Sequence, residues 1–217
     1  MHILVTAGPT REYFDTVRFI SNPSSGKMGF AIAAAAAAAG HHVSLVSGPV
    51  ALPDPPGTRV VRVVSAEQMA RACKRLFARC DVLFMTAAVC DYRPQRRLRR
   101  KLAKQPRPRY VRLQPTEDIL ASLGQHKRPS QLLIGFVLED HDARRHAERK
   151  LRRKRLDVVV LNSPQNIGAD QATVELLVRG QAWQRWPRTT KANLATRLVR
   201  LAQCLHRTIL DTSAQPR

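Results

Sequence analysis

Short apolar runs alternate with amphipathic stretches along this chain. Residues 2–6 (HILVT), 42–47 (HVSLVS), 59–64 (RVVRVV), 81–89 (DVLFMTAAV), 132–137 (LLIGFV), 157–161 (DVVVL) and 172–178 (ATVELLV) have the length and β-branched content of strands. Several are apolar at nearly every position, as strands covered on both faces are. Helical patterns lie between them. One starts near Gly26, runs through seven consecutive alanines and ends at Gly40, a residue suited to the position just past a helix. Another covers 66–79 behind Ser65, a capping residue, with Met69, Ala72, Cys73 and Leu76 on its apolar face. Residues 117–124 predict a short helix, 141–155 a highly charged one and 190–210 a closing amphipathic one. This alternation predicts an α/β fold: a Rossmann-like, doubly wound, mostly parallel sheet with helices on both faces. No repeat or linker interrupts it, so 1–217 reads as a single domain.

Two stretches break the pattern. Residues 48–58 carry too many prolines for a regular element. Residues 93–109 hold seven arginines, two lysines and three prolines, with no acid among them. Dense like charge and proline disfavour a stable element there, so 93–115 is predicted to be a basic flap or extension, with 109–114 as a short returning strand.

Composition bounds the function. At 217 residues and 44% hydrophobic, the chain can bury a sizeable core. No apolar run suits a membrane span, and MHILVTAG reads as a buried first strand rather than a signal peptide, which points to the cytoplasm. Cysteines 73, 80, 90 and 204 show neither CxxC spacing nor companion histidines, so reduced structural thiols are expected rather than zinc or disulfides. The net charge of +21 favours phosphate-bearing partners. Yet the basic residues are spread along the chain and aromatics are only 5%, so nucleic-acid binding is not the expected main function.

In doubly wound sheets, ligands bind beyond the C-terminal strand ends. Loops 7–11, 21–29, 86–94 and 135–139 converge there. SNPSSGKMG (21–29) precedes a small-residue helix, and its glycines permit an anion to approach the free N–H groups of the helix start, with Lys27 adding charge. A plain strand-to-helix turn has the same spacing, and the loop is neither a dinucleotide fingerprint nor a P-loop. TAAVCDYRP (86–94) places two small residues at a strand end and then the Asp91 carboxylate, which suits either a ligand site or a capped turn. RRKLAK (99–104) is a solvated basic run or a flap that closes over phosphates.

Taken together, VTAGPTRE, VRFISNPSSGKMG, SGPVALPDPPG, AAVCDYRP, IGF and NSP, in this order, resemble the phosphopantothenate–cysteine ligase family of coenzyme A biosynthesis. In bacteria this ligase is often fused behind a flavin-dependent decarboxylase, so the chain is expected to be a stand-alone ligase or a cut-out domain without flavin. The resemblance implies a homodimer that uses CTP, with Mg2+, to activate 4′-phosphopantothenate as an acyl-cytidylate, which L-cysteine then attacks. It implies Asn22 at the acyl intermediate and Lys101 on the flap as catalytic groups. Ala87, Ala88 and Asp91 would line the phosphopantothenate site, and Arg18 would reach the partner subunit's substrate phosphate. Gly8, Ser24, Gly26 and Gly29 would hold nucleotide phosphates, with Phe136, Lys150 and Lys154 as further nucleotide contacts. The family pattern names no metal ligands here. The chain departs from it at Pro9, Cys90, Ala103 and 137–140. The rival readings are an NAD(P) oxidoreductase, which lacks its glycine spacing and its acid after the second strand, and a non-enzymatic polyanion-binding protein.

Overall fold

The computed structural model describes residues 1–214. It contains, in chain order, β1 (His2–Ala7), β2 (Arg11–Tyr13), β3 (Phe19–Ser21), α1 (Lys27–Ala38), β4 (His42–Ser47), β5 (Thr58–Arg62), α2 (Ala66–Phe77), β6 (Val82–Met85), β7 (Tyr92–Pro94) and β8 (Leu113–Pro115). There follow α3 (Ile119–Gln125), β9 (Leu132–Leu138), α4 (Ala143–Arg153), β10 (Val158–Asn162), β11 (Gln171–Val178), β12 (Gln184–Thr190) and α5 (Lys191–Ala214).

Eight strands form one sheet in the order β5-β4-β1-β6-β9-β10-β11-β12. The run from β5 to β10 is parallel, and β11 and β12 add an antiparallel margin. The chain builds outward from β1 to β5, returns to β6 on the other side of β1, then builds outward to β10. That reversal opens a crevice between the ends of β1 and β6, where such sheets bind ligands.

The pleat sorts alternate residues to opposite faces. Ile3, Val5, Phe84, Ile134 and Val160 point into one core with α1 and α5; Leu4, Leu83, Leu133 and Val159 point into the other with α2, α3 and α4. Ser65 caps α2 in a reciprocal box with Gln68, as a capping residue there predicts. Cys73, Cys80 and Cys90 are buried free thiols, and Cys204 is exposed. Burial pushes the thiols of Cys73 and Cys80 up to about 12, so neither is a ready nucleophile.

Several boundaries differ from the sequence reading. The strand expected over 81–89 ends at Met85, because the N–H groups of Thr86 and Ala87 both donate to the Thr6 hydroxyl, at 3.1 Å each, rather than to a neighbouring strand. The returning strand expected at 109–114 is only Leu113–Pro115, paired with β7. The hairpin β2–β3 and the edge strand β12 were not predicted. β12 reads QRWPRTT, polar and proline-containing, and its pairing with β11 shifts register between Ala172 and Val174, opposite Pro187 and its neighbours. A proline fits there because an edge position needs no outward N–H.

Candidate active site

α1 and the 86–91 loop build the site from both sides of the crevice. Gly26, with φ +75°, is the left-handed residue that turns the chain into α1, and no side chain caps that helix start. Ser24 and Ser25 hydroxyls face the N–H groups of Gly26 and Lys27 at 3.4 and 3.5 Å. Gly29 sits in the first turn against the strand tips. A Cβ there would lie 2.5 Å from both the Ala7 Cβ and the Thr86 Oγ1.

The opposite wall is held by backbone ties. The Ala88 N–H donates to the Gly8 carbonyl at 2.9 Å, and the Cys90 N–H donates to the Thr10 hydroxyl at 3.0 Å. Thr116 donates from its hydroxyl to the Cys90 carbonyl at 2.6 Å and from its N–H to the Asp91 carbonyl at 2.8 Å. Asn22 bridges the two walls: its Nδ2 donates to the carbonyls of Ala88 and Val89 at 3.2 and 3.1 Å. Its amide therefore fixes the distance between the serine-glycine loop and the small-residue loop.

Between these walls lies a cavity of about 420 Å³. It brings together Asn22, Ser24, Gly26, Gly29, Ala87, Ala88, Asp91 and Phe136 of the predicted site residues. Arg18, Lys101, Lys150, Lys154 and Gly8 are not among its walls. Gly8 stands behind the wall, tied to Ala88. Lys150 pairs with Glu139 at 2.7 Å, and Lys154 pairs with Asp118, the cap of α3, at 2.8 Å. Burial opposes ionisation of Glu139, but the Lys150 hydrogen bond and charge, with His146, hold its carboxyl below the usual range. Arg18 and Lys101 lie on the neighbouring hairpin and flap.

One feature was missed. Lys191, the first residue of α5, lines the cavity, and its Nζ donates to the Asn166 carbonyl at 3.1 Å. Burial, and then the charge of nearby Lys27, pushes its pKa down, against the pull of Asp170. The signal was available: a lysine at a helix N-terminus opposes the helix dipole and needs another reason to be there. Lys27 itself turns toward Asp170 at 2.6 Å and the Gly168 carbonyl at 3.1 Å. The cavity thus pairs two ammonium groups and a helix start with an apolar patch of Phe136, Ile167, Val174 and Leu194. That arrangement suits a ligand with an anionic chain and a flat or aliphatic body. A second hollow of about 570 Å³, beside α4 and lined by Arg144, Arg145 and Arg185, shares only Asn162 and Val174 with it.

Known proteins resemble this chain in sequence and in fold. The coenzyme A biosynthesis bifunctional protein CoaBC of Bacillus subtilis (strain 168) is 42% identical over 169 residues, which cover 77% of this chain and 41% of that protein. A protein of an unknown prokaryotic organism named cysteine/cysteine sulfinic acid decarboxylase is 40% identical over 203 residues, covering 91% of this chain and 56% of that one. The chain therefore spans about half the length of these curated relatives. The crystal structure of the C-terminal domain of CoaBC superposes with a TM-score of 0.82 at 37% identity, covering 97% of this chain and 96% of that domain. The profile of the DNA/pantothenate metabolism flavoprotein C-terminal domain matches residues 1–205, and the chain belongs to that family.

Proposed function

We propose that this domain is a phosphopantothenate–cysteine ligase that works through an acyl-nucleotide, with CTP as the preferred co-substrate. The reading is carried by one cavity at the β1–β6 crevice that joins the Asn22 amide, the uncapped start of α1 and the small-residue loop ending in Asp91. The relation to CoaBC supports it.

In this reading the substrate carboxylate oxygen attacks the α-phosphorus of the nucleotide, and pyrophosphate leaves. The cysteine amine then attacks the acyl carbon, the C–O bond to phosphate breaks, and the nucleoside monophosphate departs as the amine loses a proton. The protein's part is positioning and charge. The start of α1, Lys27 and Lys191 receive phosphate charge. The small side chains of Ala87 and Ala88 admit the acyl chain, and Asn22, whose amide N–H groups hold the Ala88 and Val89 carbonyls, positions that loop beside the acyl group. Lys101 arrives with the flap and excludes water. Among the described residues no group of three or more His, Cys, Asp or Glu could hold a metal, so Mg2+ is assigned to the nucleotide's phosphates rather than to a protein cage. The product passes to a decarboxylase.

We assign the working state to a homodimer in which Arg18 serves the partner's site. Two observations support this. Arg18 is outside its own cavity, and the β2–β3 hairpin beside it exposes Val17, Phe19 and Ile20.

Pyrophosphate release tests the function. It is expected with CTP only when phosphopantothenate is present, and ligated product only when cysteine is added. No release with either CTP or ATP would overturn the reading, and release with ATP but not with CTP would overturn the CTP preference.

A further inference from the structure

The β2–β3 turn contains a buried carboxylate to which the ligase reading gives no task. Asp15 has no exposed surface, although it sits in a surface hairpin. Its Oδ1 accepts the N–H groups of Val17 and Arg18, both at 2.7 Å, and so closes the turn. Its Oδ2 makes contacts that the turn does not need. It accepts the N–H of Leu102, in the middle of the basic flap, at 3.2 Å, and faces the Arg18 Nη1 at 3.4 Å. The Arg18 Nη2 in turn donates to the Leu102 carbonyl at 3.1 Å. Both backbone groups of one flap residue are thus held by two side chains, and those side chains hold each other.

The rest of the flap is tied only at a few points. The Leu98 N–H donates to the Phe14 carbonyl at 2.9 Å, Gln95 to the Arg112 carbonyl at 2.9 Å, and Arg93 pairs with Glu67 at 3.1 Å near the flap's base. Arg99, Arg100 and Lys101 are exposed between the Leu98 and Leu102 ties. A segment so rich in like charge repels itself, and an acid within it would spoil its cationic face. A carboxylate supplied from outside solves both problems. Burial opposes the charge on Asp15, but the N–H groups of Arg18, Val17 and Leu102, with the Arg18 guanidinium, hold its carboxyl below the usual range.

We propose that Asp15 is the positioning residue of the flap: it anchors Leu102, and thereby Lys101, and presents Arg18 from the same point. What Lys101 and Arg18 do rests on the ligase reading; the anchoring of the flap does not. Two variants test it. Asp15→Asn keeps the shape and an acceptor for the turn, but removes the charge and turns an amide N–H toward Leu102. Leu102→Pro deletes the flap's N–H, together with the leucine side chain, and leaves Asp15 in place. Both should retain the wild-type circular dichroism spectrum. Both should be cut by trypsin after Arg96, Arg97 or Arg99 at least tenfold faster than the unmodified protein, as read by mass spectrometry; the bond after Lys101 is left out because trypsin does not cut before proline, as in Leu102→Pro. Single-turnover ligation at saturating CTP should fall at least tenfold in both, while calorimetric CTP affinity stays within twofold. Unchanged cleavage in Leu102→Pro overturns the anchor. Faster cleavage with unchanged ligation overturns the positioning role and leaves Asp15 a structural residue. If Asp15→Asn does not fold, Leu102→Pro decides alone. If the unmodified protein performs no ligation, the ligase reading falls and cleavage still decides the anchor.

Discussion

At Gly29 a single hydrogen sets how closely α1 approaches the strand tips. A methyl group there would press on Ala7 and Thr86 at 2.5 Å and on the Thr6 carbonyl at 2.9 Å. Thr6 and Thr86 are the residues that hold the 86–88 turn, so the damage would reach the site. Gly29→Ala should cost about 1–3 kcal/mol of stability in urea titration, as overpacking does, and weaken CTP binding. A wild-type denaturation midpoint would show that α1 moves freely, contrary to this packing. Lys191 supplies a second test. Lys191→Met keeps the stem and removes the ammonium, so CTP affinity should fall at least fivefold with little change in melting temperature. Equal affinity would assign Lys191 to the Asn166 carbonyl alone. Motif reading found the loops that wall the cavity, because glycine, serine and small-residue runs are local signals. It could not find Asp15, whose meaning depends on meeting residue 102, and it gave Lys150 and Lys154 no sight of Glu139 and Asp118.

Among the elements, most buried strands were legible almost to the residue, β6 excepted, which ends four residues short of its expected range. β4 falls on its predicted range, and β1 and β9 extend theirs by one residue. Continuous apolar runs between turn residues leave little choice. The short elements were not legible, because their pairing comes from outside their own sequence. The two-stranded pairs β2–β3 and β7–β8 are three residues a strand and carry no period. α5 shows a different mismatch: His206 is 6% exposed and its Nε2 has no hydrogen-bond partner among the described residues. A buried polar atom without a partner costs about 1–3 kcal/mol, so His206→Leu should raise the melting temperature. A lower melting temperature would mean that the ring's packing outweighs the lost hydrogen bond.

For the whole molecule, charge sets the acid limit. Asp15, Glu117, Asp118, Glu139 and Asp170 are all held below their ordinary values against opposing burial, which is the largest single influence on the first, third and fourth. A carboxyl with a lower pKa folded than unfolded contributes stability that is complete above the unfolded value. That contribution is lost as pH falls through the folded one. The unfolded values are about 3.9 for Asp and 4.3 for Glu. Protonation also leaves 37 Lys and Arg with no acid opposing them. The melting temperature should therefore be nearly flat from about pH 8 to 5.5 and fall steeply below about pH 4.5, with added salt restoring part of the loss. Stability unchanged down to pH 3 would contradict these ion pairs. The proposed dimer belongs to the same scale. Arg18→Ala and Asn22→Asp proteins, each impaired alone, should regain activity when mixed, since one site of the hybrid then has both an intact Asn22 and an intact partner Arg18. No recovery after verified subunit exchange would count against action across the interface.

The sheet's two borders have a consequence beyond the site. β12 carries Pro187 at its register shift and exposed Arg185 and Arg188, and β5 exposes Arg59 and Arg62. Neither border offers an uninterrupted, uncharged row of backbone groups to a strand of another molecule. Chains crowded together after synthesis are thereby kept from zipping border to border into fibrils. The residues that hid β12 from sequence reading are the same ones that break its border as a template for another strand.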